Sequence, residues 1–193
     1  LRLIAGEFFD TLHIEQDNDI RWLGSIEEPQ ELVDTTVTDE PVDNWYWGFV
    51  GDNSLTTYGF SVPSPSDNGT ARIRVAFRGL TDIDNEPLDH QYSILLNNNP
   101  VDPPQTYAQW SGQNEYVYTS SPFPARRLVH GKNVITFAQV ERSFPDRAAL
   151  NWIEVLYPRT FEALDNAARF APGPQDTGAL IQFNIPGFST REL

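Results

Sequence analysis

The chain contains no cysteine, which removes a disulfide framework, a thiolate metal site and a cysteine nucleophile from consideration within it. It leaves the redox compartment open. Histidine is scarce as well: His13, His90 and His130 stand in no spacing that chelates zinc, such as two His four apart on a helix. A nucleophile elbow of the form Gly-x-Ser-x-Gly and a phosphate-binding glycine loop are both missing. No apolar stretch reaches the length that spans a bilayer, and no basic region followed by an apolar run marks a signal peptide. Positive charge is also in short supply, with 13 Lys and Arg against 27 Asp and Glu and a formal charge of -14. A field of that sign repels phosphate backbones and anionic lipid, so it argues against nucleic acid as a partner and against membrane insertion. The same field attracts cations, which keeps a metal-binding role open.

What is present favours β structure. At 193 residues the chain is long enough for one domain with a sizeable core, and the 15 Pro and 12 Gly provide many chain reversals. In "ARIRVAF", Ala71, Ile73, Val75 and Phe77 alternate with Arg72 and Arg74, the period of a half-buried strand. "HQYSILL" places Tyr92, Ile94 and Leu96 on one side, and "NVITFAQV" does the same with Ile135 and Phe137. "TYGFSVP" and "ALIQFNIP" read as strands closed by a proline, which cannot continue a central ladder. Between them lie turn clusters such as "PSPSDNG", "NNNPVDPP", "SSPFP" and "APGPQDTG". The expectation is an all-β fold, an antiparallel β-sandwich of jelly-roll type, with residues 1–41 less regular than the rest. A short helix is expected in "TFEALDNAARF". In "VHGKNVITF", Gly131 suits the left-handed position of a tight turn and Asn133 can bond back to nearby backbone.

Several groups are candidates for chemistry. The acids of "EQDND" (Glu15, Asp17, Asn18, Asp19) and "TDIDNEPLDH" offer the oxygen ligands that calcium prefers, with Asp82, Asp84 and Glu86 the metal candidates. Neither fits the twelve-residue helical calcium loop, and a solvated loop between strands is the plainer reading of both. A Ser, His and Asp triad or a carboxylate pair for glycoside hydrolysis could be assembled, but nothing in the spacing selects one. Trp45 and Trp47, two apart in "DNWYWGF", share a face if the segment is extended, and Trp22 and Trp110 add two more indoles. A row of exposed indoles would make a carbohydrate platform, whereas aromatics of β domains more often fill the core. In "ALNWIEVLYPR", alternation puts Asn151, Ile153, Val155 and Tyr157 on one face and Leu150, Trp152, Glu154 and Leu156 on the other. Both faces are largely apolar, so a central strand ending at Pro158 is expected, with Trp152 as a wall of the core.

The order of these pieces, "IEQDNDIRWL", "DNWYWGFV", "ARIRVAFRGLTD", "DHQYSILLNN" with "WSG", "HGKNVITF", "LNWIEVLYPRTFEA" and "IQFNIPGFS", resembles the β-sandwich module that precedes the peptidase-like domain in gingipain-related proteins of peptidase family C25. That group includes the PorU-type sortases of the type IX secretion system. The resemblance implies a jelly-roll module, similar in build to carbohydrate-binding modules, within a secreted or cell-surface bacterial protein. The family's His, strand, Leu-Asn segment lands on His90 through Asn97, its Trp-x-Gly on Trp110 and Gly112, and its Gly-x-Asn turn on Gly131 and Asn133. The family's catalytic Cys belongs to the peptidase domain and has no counterpart here.

The leading expectation is therefore a noncatalytic accessory module, residues 1–193, a piece of a longer multidomain protein. It would pack beside the adjacent peptidase-like domain or a surface protein partner. The alternative is a carbohydrate-binding module that holds a glycan on some of Trp22, Trp45, Trp47 and Trp110, with structural calcium. A free-standing hydrolase is the third class.

Overall fold

A computed structural model describes residues 2–4, 7–15, 20–21, 45–51, 55–160, 162, 181–183 and 185–189. Two antiparallel sheets face each other. One is built from β6 (Leu55–Val62), β8 (His90–Leu96), β9 (Asn99–Pro100), β10 (Ala108–Trp110) and β13 (Gly131–Gln139), in the order β10-β8-β13-β6, with β9 folded back on β8. The other contains β2 (Glu7–Glu15), β5 (Gly48–Gly51), β7 (Thr70–Gly79), β11 (Glu115–Thr119), β12 (Phe123–Pro124) and β14 (Arg147–Thr160), along the path β11-β7-β14-β2. Two smaller pairs complete the strands: β1 (Arg2–Ile4) runs parallel to β15 (Ile181–Phe183), and β3 (Ile20–Arg21) pairs with β4 (Trp45–Tyr46). The chain passes back and forth between the two large sheets, with β6, β8 and β13 in one and β7, β11 and β14 in the other. This is the jelly-roll arrangement that the strand spacing predicts.

The alternating strands bury the faces read from sequence. Ala71, Ile73, Val75 and Phe77 meet Tyr92, Ile94, Leu96, Ile135 and Phe137 across the sandwich, all of them buried. Asn97 and Asn98 both take positive φ, at 49° and 65°, and join β8 to β9 through a two-residue hairpin of the kind that favours Asn. Gly131 has φ 84°, and the buried Asn133 side chain donates to Val129 O and Gly131 O while accepting from Val129 N and Asn97 Nδ2.

β14 departs from simple alternation. It pairs with β7 along one side, and along the other first with β5 and then with β2. Leu150 opposes Phe77 but Ile153 opposes Val75, so Asn151 and Trp152 together face Ala76. This is a β-bulge, with one extra residue on the longer strand. It puts Leu150 on the same inward face as Ile153, Val155 and Tyr157. Trp152 and Glu154 go to the outer face. Trp152 is thus half-buried outside the sandwich, not a wall between its sheets. Pro158 does not end the strand either: the last β7 pair is Leu156 with Arg72, and β14 runs on beside β2 to Thr160. Beyond that pair a missing N–H breaks no β7 rung.

Residues 7–15, within the stretch expected to be less regular, form the β2 edge of the six-stranded sheet. The helix expected after Thr160 lies outside the described residues.

Two glycines separate shape from conformation. A Cβ on Gly79 would sit 2.0 Å from Gly112 O and 2.5 Å from His90 Nε2, whereas one on Gly131 meets nothing within 4 Å. We expect Gly79→Ala to destabilise by roughly 3 kcal/mol, the upper end of overpacking. Gly131→Ala should cost only the left-handed backbone, about 1–2 kcal/mol. Urea unfolding of both variants checks the order; equal losses would contradict the packing described here.

Candidate functional site

The polar residues with the chemistry of a catalytic site converge at one end of β8. His90 and Asp146 are fully buried, and His90 Nδ1 lies 2.7 Å from Asp146 Oδ1. On the far side of the ring, Nε2 donates to the carbonyl oxygens of Thr81 (3.2 Å) and Gly112 (3.1 Å). Asp146 also accepts from Tyr92 OH at 2.5 Å and from Gln91 N at 3.1 Å. A His–Asp pair works in nucleophilic catalysis when the second ring nitrogen reaches a hydroxyl or thiol and substrate can approach. Here that nitrogen is spent on two backbone carbonyls and the pair is sealed from solvent. Its chemistry is that of a fastener between loops.

Trp110 covers this fastener, its ring stacked on His90 at 4.5 Å and on Tyr116 at 5.0 Å. Trp47 is likewise buried, against Tyr58 at 5.0 Å. Both indoles face the packed interior. Trp22 and the side chain of Trp45 lie outside the described residues. Of the acids, Asp82, Asp84 and Glu86 are exposed on the loop before β8. No group of three His, Asp or Glu side chains among the described residues is placed to hold a metal ion. Asp89, from the same loop, turns inward; its two oxygens accept from Gly112 N (2.8 Å) and Ile83 N (3.0 Å). Ligand-like acidity in the sequence is here partly loop closure.

Two features were not singled out from the sequence as sites. The first is the outer face of the six-stranded sheet around Trp152. The Arg74 guanidinium lies over the indole, 5.4 Å from its centroid, and His13 tilts against it at 5.5 Å. Glu154 holds both arms, meeting Arg74 Nη1 at 2.5 Å and His13 Nδ1 at 3.2 Å. Val117, on the neighbouring β11, is exposed on this sheet. The second is a cleft of ≈ 640 Å³ between the loop before β10 and the turn around β12. Most of its residues come from "NNNPVDPP" and "SSPFP", which read in sequence only as turns.

The fold defines the class, an antiparallel β-sandwich module. No protein-family profile and no curated sequence matches the chain. Among solved structures it is similar to dimeric latent PorU from Porphyromonas gingivalis, with TM-score 0.54 and 11% identity over 83% of this chain. The match spans 13% of the PorU chain, and it shows a shared fold. A family 36 carbohydrate-binding module solved with calcium and xylotriose aligns at TM-score 0.42 and 16% identity, covering 75% of this chain and 98% of that one. A family 35 module from Clostridium thermocellum aligns at 0.36 and 15%, over 76% and 90%.

Removing one partner of a buried pair leaves the other without its hydrogen bond or countercharge. Asp146→Asn should therefore destabilise the fold by roughly 3–5 kcal/mol, measured by denaturant unfolding. A loss within the error of a surface substitution would show that the network is dispensable.

Burial also acts on Tyr58, whose hydroxyl donates to Phe49 O at 3.1 Å. Loss of solvent pushes its pKa up to about 12. The unfolded chain releases this proton near the ordinary phenol value of about 10, while the folded chain keeps it. The contribution to stability is thus fully present below about pH 10 and is lost as pH rises towards the folded value. Unfolding midpoints should fall between about pH 10 and 12, with a shallower fall in Tyr58→Phe. An identical slope in the variant would remove Tyr58 as the cause.

Proposed function

We propose that this chain is a noncatalytic accessory module of a secreted or surface multidomain bacterial protein, related to the gingipain-like C25 group and to type IX secretion. It docks beside the peptidase-like domain of that protein. The order of motifs along the chain supports the relationship, and the likeness to PorU supports the fold.

The observation that carries the docking role is the Arg74–Trp152–His13 face. An indole on the outer face of a sheet, with a guanidinium and an imidazole arranged about one carboxylate, gives an apolar centre with a polar rim. Interface centres are enriched in Trp and Arg for that reason: each buries a large area while keeping a defined geometry. The closure of His90 by carbonyls supports the noncatalytic part.

The test supplies the peptidase-like domain in trans. Hydrogen exchange in β7, β11 and β14 should slow on mixing, and acrylamide should quench Trp152 less. Trp152→Ala should weaken the complex at least tenfold, or about 1.4 kcal/mol, without loss of folded signal. Unchanged exchange on this sheet, or full affinity in the variant, would rule out docking through it.

A further inference from the structure

We infer that the cleft beside β10 is a binding site for a short saccharide. Its walls are rigid rings. Pro100, Pro103 and Pro104 line it from one chain segment and Pro122 and Pro124 from another, and Tyr107, half-buried, contributes to the lining. The walls are tied to each other before any ligand arrives. Asp102 Oδ1 accepts from Ser121 N at 2.7 Å, and its second oxygen accepts from Tyr118 OH. Arg127 Nη1 donates to Pro100 O at 2.7 Å. On the loop side, Thr106 N donates to Pro103 O at 3.2 Å, and Gln105 is held at φ 64°. Non-glycine residues in that region signal a backbone fixed by its surroundings. A site built this way loses little freedom on binding.

The chemistry of the lining selects the ligand. Asp102 already accepts one hydrogen bond at each oxygen, and the other polar groups of the lining are the uncharged side chains of Ser93, Gln105, Thr106, Tyr107 and Ser121 and the remaining N–H groups of Arg127. Five pyrrolidine rings present C–H surface and no backbone N–H. The prolines offer no backbone N–H for strand-like pairing with an extended peptide. Sugar hydroxyls both donate and accept, and a sugar's C–H face packs on proline and phenol rings. The volume lies within the range of small-molecule pockets. Arg127 adds a preference for a ring carrying a carboxylate.

This site is separate from the Trp152 face, and failure of either leaves the other standing. The test is a titration of the isotope-labelled chain with cellotriose, mannotriose and trigalacturonate, followed by amide and side-chain NMR shifts. At least one should perturb Ser93, Thr106, Tyr107 and Arg127 together. Tyr107→Ala should weaken that binding at least tenfold with an unchanged melting temperature, and Arg127→Gln should weaken trigalacturonate more than the neutral sugars. The inference is overturned if none of the three perturbs the cleft, if shifts fall only elsewhere, or if a proline-rich peptide perturbs these residues and the sugars do not.

Discussion

The buried contact between His90 and Asp146 is the constraint from which much of the rest of this molecule follows. Placing an imidazole and a carboxylate where neither touches water carries a desolvation cost that is offset only if their hydrogen-bonding positions are filled. The chain fills them with backbone: Gln91 N on the carboxylate, Thr81 O and Gly112 O on the ring, and Tyr92 OH as a further donor. Thr81, Gly112 and Asp146 each come from a different connection, so the loops before β8, after β10 and before β14 are held against one strand. The cost is visible in the sequence as glycine. Gly79 and Gly51 have no room for a side chain because Gly112 O and Asp146 O stand about where their Cβ atoms would be, at 2.0 and 2.1 Å. Trp110 then seals the ring from above, and its own Nε1 has no hydrogen-bond partner among the described residues.

The same cluster explains why the sequence motifs that resemble the C25-associated module are structural. His90 with its strand, and Trp110-x-Gly112, are far apart in sequence, yet they form one contact set, because His90 stacks on Trp110 and donates to Gly112. Gly131-x-Asn133 belongs to a second fastener, where Asn97 Nδ2 donates to Asn133 Oδ1 and the Asn97 and Asn133 amide oxygens accept from Val134 N and Val129 N respectively. Polar networks of this sort define loop positions more sharply than apolar packing does.

Legibility in the sequence followed the physics of alternation. Strands with one wet face, such as β7 and β8, could be read residue by residue, since a period of two has a single solution when only one face is buried. β14 could be recognised as central and its faces read from Trp152 onward, but Leu150 falls on the opposite face from the one alternation predicts, because the single inserted residue at Asn151–Trp152 leaves no compositional mark. Trp47 and Trp110 were ambiguous for another reason: an indole suits a core and a platform equally, and only the strand's partner decides. The cleft was hidden because its walls come from two turn clusters about twenty residues apart along the chain, and proline in each is sufficiently explained by chain reversal. The signal available was the density of proline in both clusters, more than two reversals require.

Rigidity links these parts. A loop becomes a usable binding wall only when its end points are fixed to better than the tolerance of a hydrogen bond, and in a β-sandwich the sheets supply those end points. β8 does so at both ends. Its start is locked by His90 and Asp146, and its finish by the Asn97–Asn98 hairpin, where Asn97 Nδ2 also donates to Arg127 O. Arg127, together with Asp102, ties the two proline segments, through Pro100 O and Ser121 N respectively. The positions of those walls therefore descend, bond by bond, from the hairpin that ends β8, while the bulge in β14 independently turns Trp152 to the opposite surface. Two surfaces with different chemistry thus emerge from one scaffold without competing for the same side chains.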